Sequence, residues 1–209
     1  RDTEAMGKYG PVRLMEIMGR NAGWLTAATA LAKGDDERDA PHLVYVPERP
    51  VTLERILEDV QRVYDQLGFV VVAASEGIVD PEGRTIGEDY APTEVDQFGN
   101  VRKGGVTPYL QSAIEGKLGL KARLDNPYYL QRSFVELASP VDQEEAYRVG
   151  RAAVQAALAG QKGQMITLVR DPGPAYHCRA GLISVEEVWD KERKMPLDMM
   201  NEAGNFPSE

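Results

Sequence analysis

Three short groups of polar residues stand where predicted β-strands end. They are Met18-Gly19-Arg20, Ser75-Glu76-Gly77 and Tyr129-Leu130-Gln131-Arg132, the last of which follows a predicted strand that carries Arg123. Guanidinium groups and a tyrosine hydroxyl suit a phosphate oxyanion, and a glutamate carboxylate accepts hydrogen bonds from sugar hydroxyls. Because ligands in open α/β sheets bind outside the carboxyl ends of the strands, the residues alone predict a phosphorylated polyol as ligand.

Each of these groups, taken singly, also fits an ordinary structural role. A strand-end arginine such as Arg20 is commonly a solvated or ion-paired side chain, and the Glu76-Gly77 pair is typical of a turn. Only their joint placement favours a binding site. Gly104-Gly105, ahead of a predicted helix, fits anion binding at the helix N-terminus less well than it fits a plain turn.

Several other kinds of active site find little support in the chain. It has two histidines and one cysteine, and His42 is far in sequence from the adjacent pair His177 and Cys178, which is poor material for a zinc site. The motifs Gly-x-Ser-x-Gly, Gly-x-x-x-x-Gly-Lys-Ser/Thr and Gly-x-Gly-x-x-Gly do not occur. We therefore predict no metal ligands in this chain, no hydrolase nucleophile and no standard nucleotide-phosphate loop.

The elements that would position the polar groups alternate between strands and helices. Strands are predicted at residues 11–18, 42–46, 69–74, 121–124, 165–169 and 182–188, and helices at residues 22–32, 53–67 and 107–117. Residues 69–74 are apolar on both alternating faces, as expected of a strand covered by helices on both sides. The pattern predicts a three-layer α/β fold with a mostly parallel sheet, as one domain over residues 1–209.

Two further segments complete the predicted layout. Residues 79–104 are rich in glycine and acidic side chains without a sustained period, which predicts a long surface excursion. A helix is predicted to open at Asp142 with a capping box to Glu145. Its inward face would consist of Ala146, Ala153, Val154, Ala157 and Leu158.

Charge and composition limit the partners. With 33 acidic and 24 basic side chains the formal net charge is -9, which disfavours nucleic acid and anionic lipid as partners. Apolar runs stop at strand length, so no membrane-spanning segment is expected. Cys178 is the single cysteine, which excludes an internal disulfide and favours a reducing compartment, so we expect a cytoplasmic protein.

Separated motifs in a fixed order resemble the sugar-phosphate half of the 6-phosphofructokinases, most closely their pyrophosphate-dependent branch. The motifs are residues 18–24, Pro47-Glu48, Ser75-Glu76-Gly77, residues 129–133 and Asn201-Glu202-Ala203-Gly204-Asn205. The resemblance extends across most of the chain and implies the phosphofructokinase fold for its acceptor-substrate half.

The resemblance also implies a set of site residues for fructose 6-phosphate. Met18, Gly19 and Arg20 would contact the sugar phosphate, and Arg20, the catalytic residue, would also lie near the transferring phosphoryl group. Glu76 would hold sugar hydroxyls. The remaining binding residues would be Arg123, Tyr129 and Arg132 at the 6-phosphate, with Gln131 beside them. In this family, some of the residues that bind the 6-phosphate come from a neighbouring subunit. The resemblance therefore implies a homo-oligomer with its active site near a subunit interface.

This sequence departs from the family pattern at informative positions. Bacterial ATP-dependent relatives carry an arginine where Pro11 aligns, so that phosphate contact is missing or is replaced by Lys8 or Arg13. Tyr129 replaces their histidine, which resembles the pyrophosphate branch. The Gly-Gly-Asp donor loop and the Thr-Ile-Asp-Asn-Asp segment with the catalytic base are absent. We expect both upstream of Arg1, in an N-terminal phosphoryl-donor domain, and we expect the isolated chain to be inactive.

The resemblance implies a glycolytic reaction for the full-length protein. A phosphoryl group would pass in line from pyrophosphate or ATP to the C1 hydroxyl of fructose 6-phosphate, giving fructose 1,6-bisphosphate. Mg²⁺, held mainly by residues outside this chain, would neutralise the phosphoryl oxygens. The alternative is a non-catalytic sugar-phosphate-binding or regulatory module that keeps the acceptor pocket without the donor half.

Overall fold

A computed structural model describes residues 2–90 and 105–208, and the backbone of residues 94–95 and 101–102. The chain folds into two compact units, Arg1–Gln131 with Arg193–Glu209, and Arg132–Glu192. The single domain over residues 1–209 stays a prediction. The helices of the described residues are α1 (Asp2–Met6), α2 (Trp24–Ala28), α3 (Leu53–Leu67), α4 (Val106–Leu118), α5 (Leu130–Ser133), α6 (Pro140–Leu158) and α7 (Val185–Val188).

The first unit is built on a parallel sheet of four strands. The strands of the described residues are β1 (Val12–Ile17), β2 (Leu43–Tyr45), β3 (Val70–Ser75), β4 (Glu94–Val95), β5 (Val101–Arg102), β6 (Ala122–Asp125), β7 (Gln164–Arg170) and β8 (Cys178–Ser184). The sheet has the order β2-β3-β1-β6, and every pair in it is parallel. Ile17 pairs with Ser75, so β1 and β3 end at the same edge. The predicted parallel sheet is confirmed.

Alternating residues of the sheet enter two separate apolar clusters. Leu14 of β1 and Val72 of β3 pack with α3 and α4, while Ile17 and Ala73 pack on the other face with Met195 and Met200. Because successive strand side chains point to opposite faces, β1, β2 and β3 each contribute to both clusters. All six residues of β3 are buried. This arrangement confirms the three-layer α/β fold.

Helix α3 begins and ends where the sequence predicts. The Thr52 side chain accepts a hydrogen bond from the Arg55 backbone N–H, and Gly68 follows the last helical residue. Its apolar stripe includes Ile56 and Val60, both fully buried. Burial of each such side chain stabilises the fold by about 1.5–3 kcal/mol. By contrast α2 begins only at Trp24, two residues after the predicted start, and continues as a 3₁₀ turn over Thr29–Ala32.

The second unit consists of α6 and an antiparallel hairpin of β7 and β8, and it corrects several predictions. Helix α6 begins at Pro140 because Ser139, not Asp142, is the N-cap and accepts from the Asp142 N–H. The predicted capping box is therefore wrong.

The predicted inward face of α6 is also wrong, since all five of its residues are exposed in this unit. Leu158 is 85% exposed and Val154 is exposed too, because only the two-stranded hairpin packs on this helix within the unit. Strand β7 is mostly exposed for the same reason. Residues 185–188 form α7 instead of continuing a strand, since the Ser184 side chain caps a helical turn by accepting from the Glu186 N–H.

The long excursion is described only in part. Val79 and Thr85 form an isolated antiparallel bridge, and Glu88–Tyr90 forms a 3₁₀ turn. Strands β4 and β5 pair antiparallel. Gly104 of the Gly104-Gly105 pair lies outside the described residues. Gly105 precedes α4 in an extended conformation.

Candidate sugar-phosphate site

The turns after β1 and β3 are joined by hydrogen bonds at the carboxyl edge of the sheet. The Gly19 N–H donates to Glu76 Oε1 at 3.2 Å, and the Ser75 hydroxyl donates to the Gly19 carbonyl at 2.6 Å. The Glu76 N–H donates to the Ile17 carbonyl at 3.0 Å. The structure therefore brings together the first two predicted groups, residues 18–20 and residues 75–77.

Two glycines allow this close approach. Gly19 has a φ of 136°, which L side chains rarely adopt, and a Cβ there would lie 2.6 Å from the Ala22 carbonyl oxygen. A Cβ on Gly77 would lie 1.7 Å from the Arg20 carbonyl oxygen. The backbone of Arg20 is thus pressed against the turn after β3.

The Arg20 side chain is exposed. Among the residues that the structure describes, its guanidinium has no ion-pair or hydrogen-bonding partner. A guanidinium in this state is available to an anionic ligand at the strand ends. This is where the predicted catalytic residue would act.

Gln131 is tied into the protein at both ends of its amide. Its Oε1 accepts from the Met18 N–H at 2.9 Å, and its Nε2 donates to the Tyr128 carbonyl at 3.3 Å. Gln131 therefore links the turn at Tyr128 to Met18. Its predicted contact with substrate stays a prediction.

Glu16 is a functional candidate that the sequence analysis missed. It is buried in β1, and its carboxylate accepts from the Thr107 N–H at 3.1 Å, the Thr107 hydroxyl at 3.0 Å and the Asn126 side-chain N–H at 2.8 Å. It thereby joins the start of α4 to the turn after β6. The signal in the sequence was a glutamate two residues before Met18 in an otherwise mostly apolar strand.

The turn after β6 forms as predicted. The Asn126 side chain accepts from the Tyr128 N–H at 3.1 Å, and the Leu130 N–H donates to the Pro127 carbonyl at 3.0 Å. Tyr129 is exposed on this turn. Arg132, exposed as well, belongs to the second unit.

Arg123 lies away from the joined turns of the same chain. It pairs in register with Arg13, five residues before Met18, which at about 3.3 Å per residue is about 16 Å along the strand. Its Nε lies 2.8 Å from where a Cβ on Gly10 would be, beyond the amino end of β1. The structure therefore does not bring Arg123 together with Met18 and Glu76 within one chain.

Of the two substitutes considered for the missing arginine, Arg13 is already engaged. Its guanidinium forms ion pairs with Asp2 and, at 3.0 Å, with Asp125. Lys8 is exposed and its ammonium lies 5.5 Å from the centre of the Tyr9 ring. Lys8 is the freer of the two cations.

The described part of the chain offers neither a metal cluster nor a membrane span. No three or more His, Cys, Asp or Glu side chains among residues 2–90 and 105–208 lie together as a metal site would require. None of the described helices has the length and apolar character to span a bilayer.

The chain is similar to known proteins over most of its length. The model of the family described as Phosphofructokinase matches residues 2–157. A pyrophosphate–fructose 6-phosphate 1-phosphotransferase of Xanthomonas campestris pv. campestris (strain B100) is 37% identical over 193 residues, which cover 92% of this chain and 46% of the relative. The protein of the same name from Rhodospirillum rubrum is 43% identical over 185 residues, covering 86% and 45%.

A solved structure gives the same result. The pyrophosphate-dependent phosphofructokinase from Marinobacter aquaeolei superposes with a TM-score of 0.80 at 35% identity, covering 99% of this chain and 47% of that one. The chain thus spans about half the length of the curated relatives it matches. Since the family model matches about three quarters of the residues, the chain belongs to the phosphofructokinase family.

Proposed function

We propose that this chain supplies the sugar-phosphate site of an enzyme that transfers a phosphoryl group from pyrophosphate, or from ATP, to the C1 hydroxyl of fructose 6-phosphate. The product is fructose 1,6-bisphosphate, and the reaction belongs to glycolysis. The observation that carries the proposal is the junction of Gly19 and Glu76 at adjacent strand ends, with the Arg20 guanidinium exposed beside it. The names of the matched relatives support the same reaction.

The roles follow from the chemistry of each group. Phosphoryl transfer needs positioning and neutralisation of charge more than covalent chemistry, and Arg20 would meet the charge on the transferring group. Glu76 is engaged through Oε1 only, among the described residues, so Oε2 would accept from a sugar hydroxyl. Met18 and Gly19 would contact the sugar through their backbone atoms.

The 6-phosphate would be held by Arg123, Tyr129 and Arg132. The position of Arg123 near Gly10, far along the strand from Met18, supports a role in the site of a neighbouring subunit. We therefore propose a homo-oligomer that shares its sites between subunits. A cytoplasmic location suits this reaction.

The donor side of the reaction would come from other residues of the protein. The chain contains neither a Gly-Gly-Asp nor a Thr-Ile-Asp-Asn-Asp sequence, so the base and the donor loop are not among its residues. Mg²⁺ would accompany the donor and take its ligands there. A proton acceptor and an oriented donor each contribute orders of magnitude to rate, so the 209 residues alone should not turn over.

A coupled assay for fructose 1,6-bisphosphate tests this function. The complete gene product and the 209-residue chain are assayed in parallel with fructose 6-phosphate and either pyrophosphate or ATP. We expect turnover of about 1 s⁻¹ or above from the complete gene product and none from the chain alone. Absence of product from the complete gene product with both donors would contradict the proposal.

The second candidate is a non-catalytic sugar-phosphate-binding or regulatory module. Such a module would keep the acceptor pocket without a donor half. Binding of fructose 6-phosphate by the complete gene product without turnover would support the module. A Gly-Gly-Asp loop upstream of Arg1 in the gene would support the enzyme.

A further inference from the structure

Glu48, which follows β2, holds two separate segments of the first unit with one carboxylate. The Gly23 N–H donates to Oε1 at 3.0 Å and to Oε2 at 3.1 Å, and the Met195 N–H donates to Oε1 at 2.8 Å. A Cβ on Gly23 would lie 2.8 Å from Oε2, so the backbone reaches the carboxylate closely. Glu48 therefore fixes the end of the turn that begins at Arg20.

Residues 193–195, which we name the strap, bind the same turn at two more points. The Lys194 ammonium donates to the Asn21 carbonyl at 2.7 Å, and the Trp24 indole N–H donates to the Arg193 carbonyl at 2.7 Å. With the Met195 bond to Glu48, every residue of the strap contacts either residues 21–24 or Glu48. The strap and Glu48 form one clamp.

Arg20 lies between this clamp and the contacts of the turn after β3. On one side Gly19 is held by Glu76 and Ser75, and on the other Gly23 is held by Glu48. No described residue holds the guanidinium itself, so its position depends on the backbone between these two attachments.

We propose that Glu48 is a positioning residue for Arg20, acting through the strap and the turn. The proposal rests on the proposed phosphoryl-transfer function. Loss of alignment of a reacting group by about 1 Å can lower the rate by up to about 100-fold, so the effect should appear in kcat. It should depend on the presence of the Arg20 guanidinium.

A double-mutant cycle in the complete gene product tests the proposal. Glu48→Gln keeps the size of the side chain but leaves a single acceptor oxygen, and we expect kcat to fall by about 10- to 100-fold with a smaller change in KM for fructose 6-phosphate. In an Arg20→Ala background the same change should lower kcat by less than about 2-fold, because the guanidinium that Glu48 positions is then absent. Glu48→Asp, which keeps the carboxylate, should retain more activity than Glu48→Gln.

Two further variants separate positioning from loss of fold. Lys194→Met removes one strap contact at the surface and should lower kcat by a smaller factor, again only when Arg20 is present. The matched control is Arg49→Gln. It removes the hydrogen bond from the Arg49 side chain to the Glu202 carbonyl, which lies outside the clamp, and it should leave kcat unchanged.

The outcomes are distinguishable from those of the proposed function. A wild-type protein without phosphoryl transfer overturns the proposed function and this inference with it. An active wild type in which Glu48→Gln and Lys194→Met lower kcat equally with and without Arg20, or do not lower it at all, overturns the positioning role alone.

Discussion

The backbone of Gly77 faces the carbonyl oxygen of Arg20 so closely that a methyl group on its α-carbon would lie 1.7 Å from that oxygen. The contact joins the turn after β3 to the turn after β1, where the predicted catalytic residue stands. The Gly77 N–H also donates to the Ser75 hydroxyl at 3.1 Å, and that hydroxyl donates to the Gly19 carbonyl. Glycine at position 77 is therefore a requirement of the site geometry.

Gly77→Ala should displace the Arg20 backbone. Atoms cannot approach to 1.7 Å, so one of the two turns must shift, and we expect a loss of about 1–3 kcal/mol in the free energy of unfolding. Chemical denaturation measures this loss. The matched control is Gly116→Ala in α4, where a Cβ meets nothing within 4 Å and the change should stabilise by about 0.5–1 kcal/mol. Equal stability of Gly77→Ala and wild type would contradict the close contact.

Arg20→Ala should lower turnover in the complete gene product more than it raises KM for fructose 6-phosphate. A guanidinium that meets charge developing on the phosphoryl group stabilises the transition state over the ground state. Loss of a group of this kind lowers kcat by about 100-fold or more. Arg20→Lys keeps the positive charge but lacks the planar guanidinium, and its kcat should lie between those of wild type and Arg20→Ala. Unchanged turnover at saturating substrate with a raised KM would show that Arg20 only binds the sugar phosphate.

Many elements of the first unit could be predicted because their signals are local. The Thr52 cap and the apolar stripe of α3 lie within one helix, and the continuous apolar run of β3 by itself indicates a strand buried on both faces. The second unit was predicted poorly. Periodicity identifies the apolar face of α6 but not what covers it, and in this unit Leu158 is left exposed.

The part of the site that lies at the strand ends could be predicted from the sequence. Parallel strands end at one edge, so Met18 and Glu76 were expected to be neighbours, and Gly19 does bond to Glu76. Glu16 and Glu48 were not predicted as site residues. Glu16 accepts a hydrogen bond from Thr107, which is 91 residues away in sequence, and Glu48 accepts one from Met195, which is 147 residues away. No local sequence pattern predicts a contact between residues so far apart.

Acid should weaken the fold through His42. Its Nδ1 accepts from the Val71 N–H at 2.9 Å, and burial, followed by the nearby Lys33, lowers the pKa of the ring below 6.5. The unfolded chain therefore binds a proton more readily than the folded one, and stability falls as the pH drops from about 6.5 through the lowered pKa. Denaturation midpoints between pH 8 and pH 4 measure this loss.

The control for this pH dependence is His42→Asn, which offers an acceptor near the Nδ1 position without titrating in the range. The midpoint of wild type should fall more steeply than that of the variant below about pH 6.5. Parallel curves for the two proteins would show that His42 protonation does not oppose folding.

Calorimetric titration of fructose 6-phosphate and fructose into the complete gene product, in its native oligomeric state, tests the central claim most directly. We expect binding of fructose 6-phosphate and no detectable binding of fructose. A charge-assisted bond to phosphate contributes about 1.5–3 kcal/mol, so Arg123→Ala and Arg132→Ala should each weaken binding by about 10- to 150-fold. Tyr129→Phe should weaken it less, and Arg84→Ala, which removes an exposed arginine paired with Asp80, should leave it unchanged. Equal affinity for fructose and fructose 6-phosphate, or wild-type affinity in both site arginine variants, would contradict a sugar-phosphate site built from these residues.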